Sequence, residues 1–385
     1  MDLSAFLILD DGSVWPGMAF GAQPPQMGEL TGTSMSFDGE VIFNTGMTGY
    51  HEILTDPSYA GQIVTMTAPH IGNYGCDSRW DEGSNPEGPV MAARGLVVRA
   101  VHDGPVPQGR ISLPEYMKAQ GVCGISGVDT RALTLKIRNQ GSCNGVIVAL
   151  APGEKLEDLK QAATRYLATM PEMGGLNLAD DSGSSQERVL QPEGHPHVAL
   201  LDCGAKANIL RCLERRGCKI TVLPPRTSGQ RVRELAPDAL LFSNGPGDPG
   251  ALDAQPALAE ELLGRLPLWG ICLGHQILAR AAGAKTIKMR FGHHGVNHPV
   301  RDEKTGRVFV TSQNHGFAVD ESTLPEGMTV RFRNANDGSI EGLEDKKNCL
   351  LCVQHHPEAA PGPADSEWIF DAFLSTLKEG PHASA

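Results

Sequence analysis

Hydrophobic and polar positions along this 385-residue chain fall into two regimes. Over residues 1–152, short apolar runs are separated by Gly, Pro, Asn and Asp. Examples are Phe6-Leu7-Ile8-Leu9, Glu40-Val41-Ile42-Phe43, Gln62-Ile63-Val64-Thr65-Met66 and Val146-Ile147-Val148-Ala149. Runs of this length bounded by turn formers predict strands. One helix is predicted near 127–139, where Asp129-Thr130 precedes a helical apolar pattern, and another over 153–170. From Met173 to Glu193 the chain is rich in Gly, Ser, Asp and Pro without apolar periodicity, which predicts a linker.

The pattern changes at His197. Val198-Ala199-Leu200-Leu201, Ile220-Thr221-Val222-Leu223, Ala239-Leu240-Leu241-Phe242 and Leu268-Trp269-Gly270 read as buried strands. Between the first two, 208–216 is helical, with Gly217 as its stop. Strands alternating with helices predict an α/β domain built on a parallel sheet. The expected division is therefore a β-rich α+β domain over 1–152, a connecting helix and linker over 153–194, and a parallel-sheet domain over 195–385. Ligands of such sheets sit beyond the carboxyl ends of the strands.

One of those ends carries the sharpest chemical signal. Trp269-Gly270-Ile271-Cys272-Leu273-Gly274-His275-Gln276 places a thiol between glycines two before and two after it, at a strand-to-helix turn. That spacing allows the tight elbow that exposes a nucleophile. A helix N-terminus favours the thiolate form of a cysteine.

A cysteine nucleophile also needs a base, an orienting group and oxyanion donors. Leu350-Leu351-Cys352-Val353 runs into Gln354-His355-His356-Pro357-Glu358. The stiff turn at Pro357 lets His356 and Glu358 be aimed together, with the carboxylate fixing the imidazole tautomer. Ser243-Asn244-Gly245-Pro246-Gly247-Asp248 follows another strand, so the backbone N–H of Gly245, with that of Leu273, is a candidate oxyanion hole. Gln313-Asn314-His315-Gly316-Phe317 offers polar contacts after the strand-like Arg307-Val308-Phe309-Val310.

Three sharper readings do not survive the spacing. Phe291-Gly292-His293-His294-Gly295-Val296-Asn297-His298 holds three histidines, but no acidic or Cys partners stand at matching positions, so a structured polar loop is expected and no metal ligand is assigned. Cys349 and Cys352 lack two further ligands and read as buried strand residues. Asp202-Cys203-Gly204-Ala205-Lys206-Ala207-Asn208 follows a first strand but lacks the glycine pattern of a dinucleotide site.

Composition narrows the classes. A net charge of −12 opposes a nucleic-acid partner. No apolar run reaches the ~20 residues that span a bilayer, so no membrane partner is expected. Nine cysteines without framework spacing suit a reducing compartment. Met1-Asp2-Leu3-Ser4-Ala5-Phe6 lacks a basic leader, and a cytoplasmic protein is expected.

Gly270-Ile271-Cys272-Leu273-Gly274-His275-Gln276 together with His356-Pro357-Glu358 resembles the class I, or triad, glutamine amidotransferases. Further runs resemble the glutamine-hydrolysing small-subunit family of carbamoyl-phosphate synthetases. These are Phe43-Asn44-Thr45-Gly46-Met47-Thr48-Gly49-Tyr50-His51-Glu52, Pro69-His70-Ile71-Gly72-Asn73-Tyr74-Gly75, Asp129-Thr130-Arg131, Phe291-Gly292-His293-His294-Gly295 and Ser312-Gln313-Asn314-His315-Gly316-Phe317. The resemblance covers nearly the whole chain and implies a flavodoxin-like parallel-sheet amidotransferase domain after a β-rich domain. It implies that Cys272 attacks L-glutamine to form a thioester, that His356 transfers protons, and that Glu358 orients His356. It places Gly46, Gly245, Gly247, Leu273, Gln276, Asn314, Gly316 and Phe317 against bound glutamine. It further implies that ammonia passes to a separate large subunit. That partner, not this chain, would hold ATP, Mg²⁺ and bicarbonate and make carbamoyl phosphate for arginine and pyrimidine synthesis; no cofactor is expected here.

Three positions depart from the family pattern. Gly46 stands where some relatives have Ser, leaving only backbone to serve glutamine, and Cys203 and His355 stand where aromatics are common. The competing readings are an amidotransferase subunit of another synthase, a single-chain cysteine hydrolase, and an inert regulatory subunit. The β-rich first domain opposes the first two, and retention of Cys272, His356 and Glu358 opposes the third.

Overall fold

In a computed structural model of the chain, residues 4–30 and 37–378 are described. Residues 1–3, on which the leader reading partly rests, lie outside them. Two compact units are present: 1–81 with 89–173, and 82–88 with 174–385.

The first unit contains β1 (Ser4–Leu9), β2 (Val14–Gly21), β3 (Asp38–Asn44), β4 (Gln62–Met66), β5 (His70–Ile71), β6 (Gly95–Val97), β7 (Ala100–Val101), β8 (Cys123–Ser126) and β9 (Cys143–Ala149). Among the described residues, seven of these close into a barrel in the order β1-β2-β8-β6-β4-β3-β9, and β5 pairs with β7. β3 with β4, β4 with β6 and β6 with β8 are parallel. Parallel neighbours need crossover connections. Helix α1 (Tyr50–Thr55) lies in the first of these and α2 (Leu113–Ala119) in the last. Helix α3 (Thr130–Gln140) begins where the Asp129 side chain accepts from the N–H of Ala132 at 2.9 Å.

Helix α4 (Leu156–Leu167) was expected to connect the domains. Instead Leu159, Ala163, Tyr166 and Leu167, on one helical face, pack against Ile8, Val146 and Val148 of β1 and β9. It is part of the barrel unit.

The second unit holds β10 (Arg188–Leu190), β11 (His197–Leu201), β12 (Lys219–Leu223), β13 (Ala239–Phe242), β14 (Leu268–Ile271), β15 (Thr286–Asp302), β16 (Val308–Val319), β17 (Thr329–Asn334), β18 (Ile340–Asp345) and β19 (Leu350–Val353). They form one sheet in the order β10-β12-β11-β13-β14-β19-β18-β17-β15-β16. Its centre, β12-β11-β13-β14-β19, is parallel throughout. The first of these strands in sequence lies between the second and third, as in flavodoxin-like sheets.

Helices in this unit are α5 (Ala179–Ser182), α6 (Ala207–Arg215), α7 (Gly229–Leu235), α8 (Ala254–Leu262), α9 (Leu273–Ala281) and α10 (Ile369–Thr376). Strand side chains alternate between faces. Ala199, Leu201, Leu240 and Phe242 pack with Val232 of α7, Leu258 and Leu262 of α8 and Ile277 and Leu278 of α9. Val198, Leu200, Leu241 and Trp269 pack with Ile209 and Leu213 of α6 and Phe370 and Phe373 of α10. Both faces are therefore covered, which is why these strands read as continuous apolar runs.

Two sequence expectations are corrected. The 173–193 linker contains α5 and β10, and β10 pairs antiparallel with β12 from Arg188↔Val222 to Leu190↔Ile220. Residues 291–298, expected as a loop, lie inside β15, and 313–317 lie inside β16. These strands pair as His293↔His315 and His294↔Asn314, with register shifts between Lys288/His293 and Gly295/His298. Buried polar side chains and bulges erase the apolar alternation on which strand recognition depends.

Candidate active site

The elbow is forced by backbone contact. An added Cβ at Gly274 would stand 2.0 Å from the Phe242 carbonyl oxygen, and one at Gly270 would stand 2.6 Å from the Gly274 carbonyl. Glycine lets α9 press onto the ends of β13 and β14. Cys272 occupies the N-cap of α9 at φ 54°, ψ −104°, outside the ordinary wells for a non-glycine residue. Such backbone strain is characteristic of functional positions. The Cys272 N–H donates to the Val353 carbonyl at 2.8 Å, tying the apex to β19. The thiol is buried, 3.5 Å from the Asn314 carbonyl oxygen and 3.7 Å from Gln354 Nε2.

β19 delivers the second group. His356 N–H donates to the Ser312 carbonyl of β16 at 2.9 Å, which fixes the strand end laterally. His356 Nδ1 lies 2.7 Å from Glu358 Oε1. His356 Nε2 is buried without a hydrogen-bond partner. Burial opposes a charged imidazole, but the Glu358 carboxylate and, after it, the Cys272 thiol hold the His356 pKa well above its usual value. Burial would raise Glu358; Lys206 and then His356 overcome it and hold the carboxyl well below the usual range. A buried imidazole whose charged form is favoured by a carboxylate can hold the proton of a facing thiol and return it.

Lys206 is the member that sequence reasoning missed. Its Nζ is 3.1 Å from Glu358 Oε1 and also donates to the Ala359 carbonyl. Asp202 Oδ1 accepts from the N–H groups of Gly204 and Ala205, at 3.0 and 2.8 Å, and turns the chain after β11. The Lys206 N–H then donates to Asn244 Oδ1 at 2.9 Å. The signal was its place at a strand's carboxyl end, in the run set aside for lacking a dinucleotide pattern. Gln354 was also missed: its Oε1 accepts from Gln276 Nε2 at 2.9 Å while its Nε2 faces the thiol.

The other candidates divide by unit. Gln276 Nε2 also donates to the Phe317 carbonyl at 2.8 Å. Asn314 Oδ1 lies 2.8 Å from His294 Nδ1, and Asn314 Nδ2 is a buried donor with no partner. An unpaired buried amide is the kind of group a polar substrate would satisfy. Gly316 lies between Asn314 and Phe317 on β16. At Gly245 a Cβ would stand 2.1 Å from the Cys203 carbonyl, so only glycine fits. Gly247, at φ +93°, would meet the Leu176 carbonyl at 2.7 Å. As the first residue of α9, Leu273 has an N–H with no intrahelical acceptor. Gly46 lies in the first unit, where its N–H donates to Asn44 Oδ1 at 2.7 Å.

His293, His315 and Glu341 bring one ligand-type atom each within 4.8 Å of the others. Each already has partners. His293 Nε2 is 2.8 Å from Asp337, His315 Nδ1 donates to the Phe317 carbonyl at 2.8 Å, and Asn334 donates to Glu341 at 3.0 Å. The cluster is a hydrogen-bonded network along β15, β16 and β18. Among the described residues, no helix is long and apolar enough to cross a membrane.

Residues 199–376 match the Glutamine amidotransferase class-I family, and residues 7–147 match the Carbamoyl-phosphate synthase small chain, CPSase domain. Carbamoyl phosphate synthase small chains from Polynucleobacter necessarius and Pseudomonas aeruginosa are each 44% identical. The alignments cover 97% of this chain and 95% of the relative in the first case, and 98% and 100% in the second. The corresponding chain from Methanopyrus kandleri is 42% identical over 98% of this chain and 100% of its own. Among solved structures, a glutamine amidotransferase from Thermotoga maritima covers 48% of this chain and 85% of its own, at 19% identity and a TM-score of 0.36. By both matched domains and by these full-length relatives, the chain belongs to the family of carbamoyl phosphate synthase small chains.

Proposed function

We propose that the chain is the glutaminase subunit of a glutamine-hydrolysing carbamoyl phosphate synthase. Cys272 sulfur attacks the side-chain amide carbon of L-glutamine as its proton passes to His356. The negative oxygen that forms is held by the N–H groups of Gly245 and Leu273. His356 protonates the departing nitrogen, the C–N bond breaks, and ammonia leaves a γ-glutamyl thioester. Water, deprotonated by His356, then cleaves the C–S bond to give glutamate and the free thiol. Glu358, held by Lys206, keeps the imidazole oriented and favours its charged form. Gly247, Gln276, Asn314, Gly316 and Phe317 are assigned to the bound glutamine.

The observation that carries this reading is the buried series Cys272, His356, Glu358 and Lys206, assembled at the carboxyl ends of β11, β14 and β19. Family membership supports the rest. Ammonia is assigned to a large partner chain that binds ATP, Mg²⁺ and bicarbonate and makes carbamoyl phosphate, serving arginine and pyrimidine synthesis in the cytoplasm. Reconstitution tests it. The purified chain alone is expected to hydrolyse glutamine slowly. A large chain from the same source should bind it, accelerate hydrolysis and form carbamoyl phosphate from glutamine. Absence of both binding and acceleration would overturn the assignment.

A further inference from the structure

We infer that Gln354 is a further catalytic residue: its side-chain N–H donates to the Cys272 sulfur and holds it as thiolate, and Gln276 is the positioning residue that turns that nitrogen toward sulfur. The inference rests on reading Cys272 as the nucleophile.

Gln354 directly follows β19 and stands two residues before His356. Its side chain is fully buried, and its backbone N–H donates to the Glu341 carbonyl of β18 at 2.8 Å. The preceding residue, Val353, accepts from the Cys272 N–H, so strand end and elbow are fastened together beside this side chain.

The direction of the Gln354 amide follows from a series of donors and acceptors that ends on a backbone atom. An amide side chain has an oxygen that only accepts and a nitrogen that only donates. The Phe317 carbonyl only accepts, so the Gln276 atom 2.8 Å from it is the nitrogen. That nitrogen carries a second hydrogen, and the Gln354 atom 2.9 Å away is therefore the oxygen. This leaves the Gln354 nitrogen 3.7 Å from the Cys272 sulfur, within reach of an N–H···S contact. Reversing Gln354 alone would set two buried donors against each other, at the cost of an unmade hydrogen bond. Reversing both amides would set the Gln276 oxygen against the Phe317 carbonyl oxygen.

The two neighbours of the sulfur act oppositely on its charge. The Asn314 carbonyl, 3.5 Å away, accepts the S–H proton of the thiol and repels the anion. Once that proton has passed to His356, the Gln354 N–H bonds to an ion, and such bonds are roughly twice as strong as those between neutral groups. The same donor receives the sulfur when the thioester is cleaved. Water oxygen bonds to the acyl carbon, the C–S electron pair returns to sulfur, and the water proton goes to His356.

The test measures the thiolate in the full chain without glutamine. One readout is ultraviolet thiolate absorbance, taken as the difference from Cys272→Ser. The other is the rate of Cys272 alkylation by iodoacetamide, read by peptide mass spectrometry. Gln354→Met keeps the length of the side chain and removes the donor. Near neutral pH it should lower the absorbance and slow alkylation by roughly threefold to tenfold, and lower glutamine kcat/KM with the large chain by a similar factor. Gln354→Glu, which sets an oxygen against the sulfur, should lower all three further. Gln276→Met should slow alkylation although no glutamine is present, and should add little to Gln354→Met, because both act through one hydrogen bond. Natural absorbance and alkylation in a Gln354→Met or Gln354→Glu chain that melts as a folded protein would overturn the inference, as would natural alkylation in Gln276→Met. If the natural chain made no glutamate from glutamine, the glutaminase reading would fail while absorbance and alkylation still decided the role of Gln354.

Discussion

Lys206 Nζ and Glu358 Oε1 stand 3.1 Å apart with both side chains out of water. The pair lies at the far end of the line that runs from sulfur through imidazole to carboxylate. Removing one partner of a buried pair leaves the other uncompensated, at a cost of ~3–5 kcal/mol. Lys206→Met is therefore expected to lower stability by about 3 kcal/mol and glutamine kcat by at least roughly tenfold, since Glu358 loses its counter-charge. Urea unfolding and steady-state kinetics check both. Unchanged kinetics in a folded variant would remove Lys206 from the account.

The elbow makes a steric prediction. A methyl group at Gly274 would stand 2.0 Å from the Phe242 carbonyl, a fixed backbone atom rather than a movable side chain. Gly274→Ala should move α9 off the sheet, destabilise the fold by about 3 kcal/mol or more, and abolish Cys272 reactivity. Thermal unfolding and iodoacetamide labelling read these separately. A variant with natural melting and labelling would show that the packing is looser than described.

Acid should weaken the second unit through its neutral histidines. Burial lowers the pKa of His275 from 6.5 to about 3, with His355 adding to the shift. Burial likewise lowers His355 to about 3, with His356 adding to it. For such groups the stabilising contribution is complete above the unfolded value near 6.5 and is lost as pH falls toward 3. Each proton can contribute a slope of up to ~1.4 kcal/mol per pH unit. Unfolding free energy should therefore fall between pH 6.5 and 4, measured by urea titration at several pH values. A flat profile across that window would contradict the burial of neutral imidazoles.

Legibility in the sequence followed locality. Gly270, Cys272 and Gly274 are spaced by a steric rule acting within five positions, so the elbow could be read directly. His356 and Glu358 are two apart on either side of a proline and could be read as a pair. Lys206 could not, because its partner Glu358 is distant along the chain and a lysine after a strand usually faces water. β15 and the second half of β16 escaped recognition because His293, His294, Asn314 and His315 face one another across the strands, and paired polar side chains satisfy burial without alternation. Helix α4 was visible as a helix, but nothing local said which unit its apolar face would cover.

The central claim is that Cys272 sulfur carries the glutamyl group. The direct measurement is the intact mass of the chain, acid-quenched during glutamine turnover, for the natural protein and for Cys272→Ser. The natural chain should show a fraction heavier by one glutamyl group, mapped to the Cys272 peptide and released by hydroxylamine, and the variant should show neither adduct nor glutamate production. Glutamate production at the natural rate by Cys272→Ser, or an adduct mapped to another residue, would contradict the account.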